Sequence, residues 1–295
     1  MRKPIQQLVT KVNHPMDVKI YTPRREQSFF TLFKEIFQGF REGRHLAWSL
    51  FIRDLKAGNR KSVLGYLWIF LPPFATAAIW IFLNGQKVIA IQITPMKYAA
   101  FTLCGTLLWS LFAEAMIKPI TRLQSAMPMM AKLNFPREAI LLACVYDAAF
   151  ALVVRLILLV PVLWVMGYPP VWQFIPAALA MFGLAFCGLA IGIFISPLGL
   201  LYTDIGRGIS IVLPFAMYLT PVIYPLRASE GALAFLQGLN PVTPFLERAR
   251  SLIGTYDFTL QTDLYVWMLV IIFLLLIGLL SLKISLPIIV ERSGS

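Results

Sequence analysis

Between Leu156 and Thr203 the sequence contains no charged residue. Such a run covers two bilayer crossings at roughly 20 residues each, and Gly167-Tyr168-Pro169-Pro170 interrupts it where a turn between the two is needed. The rest of the chain agrees, since 59% of its 295 residues are hydrophobic and only 14% charged. That is too apolar for an ordinary soluble domain. With lipid as the solvent, backbone polar groups must be met within the chain, which favours helices. The expected fold class is an all-α integral membrane protein with six transmembrane helices.

The apolar windows predict spans at about 64–85, 97–117, 139–166, 173–196, 208–225 and 263–286. Pro72-Pro73 should kink the first about two turns in, and residues 118–138 form a loop after the second. Residues 62–290 thus make a six-span domain, preceded by a polar segment (1–27) and by an amphipathic helix with a basic connection (28–61). In that helix Phe29, Phe33, Ile36, Phe37 and Phe40 recur at helical spacing opposite Lys34, Glu35, Gln38, Arg41 and Glu42, as in a helix lying at a membrane interface. A helix packed on a soluble partner is the alternative. Between spans five and six, the apolar patches 233–239 and 245–253, bent by Pro221, Pro225, Pro241 and Pro244, predict two short external helices or re-entrant hairpins.

Half of the 26 lysines and arginines fall within the first 61 residues, whereas Lys87, Lys97, Arg227, Arg248 and Arg250 fall on the opposite side of the predicted spans. Basic residues resist translocation, so both termini are expected in the cytoplasm. No cleavable leader is expected, because the basic N-terminal region lacks an apolar core followed by a small-residue cleavage site. The net charge of +12 sits in stretches flanking apolar runs. It suits an anionic membrane surface, and without stacking or groove-reading motifs it gives no ground for nucleic-acid binding.

The chemistry on offer is sparse. Cys104, Cys144 and Cys187 lie in separate apolar stretches, and the two histidines, His14 and His45, lie in the polar N-terminal region. Neither set has metal-ligand spacing. No G-x-x-x-x-G-K-[ST] loop occurs, so this chain carries no phosphate cradle of that kind. Glu114, Asp147 and Arg155 are the ionisable groups within the spans. Asp147 and Arg155 are about 12 Å apart along one helix, too far to pair with each other. Arg155 needs a carboxylate, backbone carbonyls or a hydrated cavity, and a packing contact and a pathway-lining role are both open to it.

Arg53-Asp54-Leu55-Lys56, followed by Arg60, Leu64-Gly65 and Trp68, leads from the amphipathic helix into the first span. Farther on come Lys132-Leu133-Asn134-Phe135-Pro136-Arg137-Glu138, Tyr202-Thr203-Asp204-Ile205, Thr220-Pro221-Val222-Ile223-Tyr224-Pro225 and Leu239-Asn240-Pro241-Val242-Thr243-Pro244. In this order and at these places the sequence resembles ABC-2 type permeases of ATP-binding-cassette exporters for lipid-linked polysaccharides, the O-antigen, capsule and teichoic-acid group. The resemblance covers roughly residues 30 to 290.

What the resemblance implies is a homodimer in the bacterial cytoplasmic (inner) membrane. It implies two copies of a separate ATPase subunit, which bind the ATP and Mg; this chain would hold no cofactor. Asn134, Phe135, Pro136, Arg137 and Glu138 would then dock into the ATPase together with Asp204 and Arg207. Pro136 and Glu138 also suit an ordinary helix start, but an exposed Phe135 does not follow from that. Such permeases often carry Arg where this sequence has Thr203, and Arg207 is expected to take over that charge. Arg53, Lys56, Arg60, Leu64, Gly65 and Trp68 would mark where substrate enters.

Candidates for lining a glycan pathway are Tyr66, Trp80, Trp109, Arg155, Tyr218 and Tyr224. Aromatic faces can slide along sugar rings, although the interfacial aromatic belt also places Trp and Tyr at these depths. Two other functions fit less of the sequence. An exporter of drugs or other lipids shares the architecture, and an integral membrane enzyme acting on a lipid carrier needs paired carboxylates or histidines that the scattered ionisable groups do not supply.

Overall fold

The computed structural model describes residues 29–59, 65–88, 94–132, 136–169, 172, 174–226, 231–254 and 262–293. Among these there is no β-strand. In chain order the helices are α1 (Phe29–Asn59), α2 (Leu71–Gly85, preceded by a tight helical turn at Gly65–Ile69), α3 (Tyr98–Lys132), α4 (Glu138–Val165), α5 (Phe174–Leu201), α6 (Thr203–Leu219), α7 (Gly231–Gly238), α8 (Val242–Gly254) and α9 (Thr262–Ser293). Four of the described helices, α3, α4, α5 and α9, are long and apolar enough to cross a membrane. The chain is a multi-pass membrane protein.

Two expected boundaries change. Pro72 and Pro73 do not kink a span; they sit in the first turn of α2, where a missing N–H costs nothing and the fixed φ suits helix initiation. The expected loop from 118 is helical as far as Lys132, and α3 runs 35 residues. Charge at Lys118 marks the end of an apolar window, but it does not end a helix whose charged face is met by a neighbour.

The central contact is α3 against α5, running parallel. A Cβ at Gly188 would stand 2.5 Å from the Phe112 carbonyl oxygen, and one at Gly192 only 2.2 Å from that of Met116. Small residues let two helices approach this closely when apolar burial alone gives no drive in lipid. At the far end of α4, Gly167 adopts φ 98°. Its N–H bonds to Trp164 O at 3.0 Å and that of Tyr168 to Leu163 O at 2.9 Å, a left-handed cap that glycine forms without a steric cost.

α1 docks on the first half of α4 by a different stripe from the one its phenylalanines suggest. Leu32, Ile36, Ala47, Leu50 and Phe51 are buried, Phe33 and Phe40 are half-buried, and Phe37 is 74% exposed; the Phe29 side chain lies outside the described residues. Gly43 lies so close to α4 that a Cβ there would be 2.9 Å from the Ala139 Cβ. Bulky rings at those positions would hold the helices apart. Among the described residues of the expected external segment between α6 and α9 are the helices α7 and α8, and α8 is buried along Val242, Phe245, Leu246, Ala249 and Leu252.

Candidate functional site

Glu114, Lys118 and Arg122 fall one turn apart on a single face of α3. α4 runs antiparallel across that face and presents Arg155 and Asp147, also eight residues apart. The Arg155 Nη2 meets Glu114 Oε2 at 3.0 Å, its Nε donates to Ser110 Oγ at 3.2 Å and its Nη1 to the Ala151 carbonyl at 3.2 Å. Eight residues on, Arg122 Nη2 meets Asp147 Oδ2 at 2.9 Å and Asp54 Oδ2 of α1 at 3.0 Å. Lys118 stands 3.8 Å from Glu114, and Arg53 is 2.8 Å from Asp54.

The result is a charge ladder of alternating polarity that fixes the register of α3 on α4 and ties in α1. Asp147 and Arg155 do not pair with each other, as their spacing indicated. Arg122, expected in a cytoplasmic loop, is instead helical and only 9% exposed. The Glu114-Lys118-Arg122 spacing is the sequence signal for that placement. Buried pairs of this kind add little net stability but strongly penalise loss of one partner, by about 3–5 kcal/mol.

The expected ATPase-docking residues divide. Asn134 and Phe135 lie outside the described residues. Pro136 and Arg137 are half-buried at the start of α4. Glu138 faces inward: it pairs with Lys283 Nζ of α9 at 2.5 Å and lies beneath Gly39, where a Cβ would be 2.7 Å from its Cδ. Its carboxylate is therefore engaged within the bundle. A cavity of about 500 Å³ lies here, bordered by Glu35, Arg137, Glu138, Leu282 and Lys283. By contrast, Asp204 and Arg207 in the first turns of α6 form an open pair at 3.9 Å, with side chains 92% and 82% exposed.

The other candidates scatter. Arg53 and Lys56 are exposed on the last turns of α1, Gly65 has φ 50°, and Trp68 is exposed. Arg60, Leu64 and the Tyr66 side chain lie outside the described residues. Trp80 of α2 and Tyr218 of α6 come together with ring centroids 6.1 Å apart. The Tyr224 hydroxyl donates to the Tyr218 carbonyl at 2.7 Å and accepts from Gln237 Nε2 at 2.9 Å. Trp109 is in the core, 5.3 Å from the Phe112 ring, so within this chain it packs helices and does not line a surface.

Residues 45–254, from the second half of α1 to the end of α8, match the family of ABC-2 type transporters. The chain belongs to that family. It is a membrane-spanning transport subunit and not an enzyme, and a permease of this family works with an ATPase partner. Two proteins of Klebsiella pneumoniae, each named O-antigen export system permease protein RfbA, are 27% identical to this transporter over 219 residues and 24% over 217. The alignments cover 72% of this chain and 82% or 83% of those proteins. A protein of the same name from Myxococcus xanthus is 25% identical over 205 residues, 69% of this chain and 78% of its own. The ladder, the Trp80–Tyr218 contact and the buried α8 all fall inside the family match, whereas α9, with Lys283, follows it.

Proposed function

We propose that this ABC-2 transporter exports a lipid-linked polysaccharide of the O-antigen type across the bacterial cytoplasmic membrane. The observation that carries the reading is that three relatives with the same O-antigen export name align over more than two thirds of the chain. The working unit is a homodimer above two ATPase subunits, which supply the ATP and Mg sites. Both termini face the cytoplasm, and six spans are made by the four long helices together with α2 and α6. At 15 and 17 residues these two reach about 22–26 Å, and their adjoining tight turn and buried 220–223 segment add to that length.

Exposed Asp204 and Arg207 are suited to contacting the ATPase, and the ladder that joins α1 to α3 and α4 offers a rigid route for its motion. Trp80, Tyr218 and Tyr224 form the best grouped aromatic set for sugar rings. A clean deletion tests the proposal: surface glycan should disappear while its lipid-linked form accumulates on the cytoplasmic side, and the intact gene should restore export. Normal surface glycan without this chain would overturn it.

A further inference from the structure

α6 ends at Leu219 and α7 begins at Gly231, and Thr220, Pro221, Val222 and Ile223, which follow α6 as non-helical backbone, are buried. Non-helical backbone survives at membrane depth only where protein groups satisfy it. The donor for this break comes from α8. Arg250, 2% exposed, donates through Nη1 to the Pro221 carbonyl at 2.5 Å, and through Nη2 to the Val222 carbonyl and to the Phe101 carbonyl of α3 at 3.3 Å. Its Cζ lies 3.8 Å from the centroid of the Phe101 ring, and Glu247 balances its charge at 3.3 Å.

The surroundings are shaped to this guanidinium. Gly105 is one turn along α3 from Phe101, and a Cβ there would fall 1.8 Å from Arg250 Nη2 and 2.2 Å from the Val222 carbonyl oxygen. The break is tied on either side as well: Asn240 Nδ2 donates to Thr220 Oγ1 at 2.7 Å, and Gln237 holds Tyr224, whose hydroxyl reaches Tyr218. Only a planar fork reaches two successive carbonyls this way; a lysine ammonium is a point donor on a flexible stem. Phe101 and Arg122 lie about 31 Å apart along α3, so this hub is at the opposite end of the bundle from the junction with α1.

We propose that Arg250 is a positioning residue for transport, which holds the α6–α7 break and through it sets Tyr218 and Tyr224 at the outer end of the pathway. The transport role rests on the function proposed above; the holding role does not. The test uses Arg250→Lys and Gly105→Ala in the full transporter with its ATPase, and each again in a Val222→Cys background. Both variants should assemble and hydrolyse ATP at near the parental rate while exporting about tenfold less glycan. The thiol introduced at position 222, shielded in the parent, should become labelled by a membrane-impermeant maleimide added outside, above the labelling of the same variants without Val222→Cys. Parental export by both variants, parallel loss of ATPase and export, or continued shielding of the introduced thiol would each overturn the proposal. Because labelling needs no substrate, it still decides the holding role if the exported molecule is not a polysaccharide.

Discussion

Arg155 of α4 donates to Glu114 of α3 at 3.0 Å, and the two stand at one end of a ladder whose other end, Arg122 with Asp147, has the opposite polarity. Sliding α3 by two turns would set like charges against each other, so the pairs specify one register. Arg155→Met should leave Glu114 at the α3–α4 contact with only the more distant Lys118, at 3.8 Å, and lower stability by up to about 3 kcal/mol. Arg155→Met with Glu114→Leu should recover much of that loss. Thermal unfolding of the detergent-solubilised protein measures both, and equal loss in the single and double variants would show that the pair does not act as a unit.

The outer rung behaves differently. Arg53 and Asp54 form an exposed contact, worth at most about 1 kcal/mol and screened by salt. Arg53→Ala should leave the unfolding temperature nearly unchanged, whereas Arg122→Gln, which removes the cation facing half-buried Asp147 and unties Asp54 from α3, should lower it clearly. Protease susceptibility of α1 should rise in the second variant and not in the first.

Glycines at the α3–α5 contact set the spacing of the bundle. Gly192→Ala places a methyl group 2.2 Å from the Met116 carbonyl oxygen and should destabilise by about 1–3 kcal/mol through overpacking. Gly208 is also helical but has nothing within 4 Å, so Gly208→Ala should be neutral or stabilising by up to about 1 kcal/mol. Parallel denaturation curves for the two alanine variants separate packing from helix propensity.

Asp204 and Arg207 are expected to touch the ATPase, while Glu138 serves the bundle. Replacing Asp204 and Arg207 together by alanine should reduce copurification of the ATPase by at least severalfold without changing the stability of the isolated subunit. Glu138→Gln, which removes the negative charge that faces Lys283 at 2.5 Å, should lower the stability of the isolated subunit and leave ATPase recovery unchanged. Undiminished ATPase recovery with the double alanine variant would remove α6 from the docking surface.

Some of the site could be read from residues in order. Spacing showed that Asp147 and Arg155 share a face of one helix but cannot pair, and that Glu114 lies in the membrane window. Their partners could not be read, because pairing depends on which helices are neighbours, on their direction and on their register. The charges that flank Arg122 close an apolar window and so point to a loop, and by sequence Arg250 is one external cation among five. Neither assignment could anticipate a seat made by Gly105 and two carbonyls from a distant turn. Trp109 shows the converse, an aromatic at a plausible pathway depth that packing places in the core.

By itself, then, the sequence determined the solvent and the helical character of this protein, because hydropathy adds up residue by residue and lipid forbids unpaired backbone. It also limited the chemistry, by leaving few ionisable groups for the membrane. Only the tertiary structure decided what those groups do. Burial of a charge is tolerable solely beside its complement, and complements here come from α1, α3, α4, α8 and α9, whose juxtaposition is a property of the packed bundle and of no single segment.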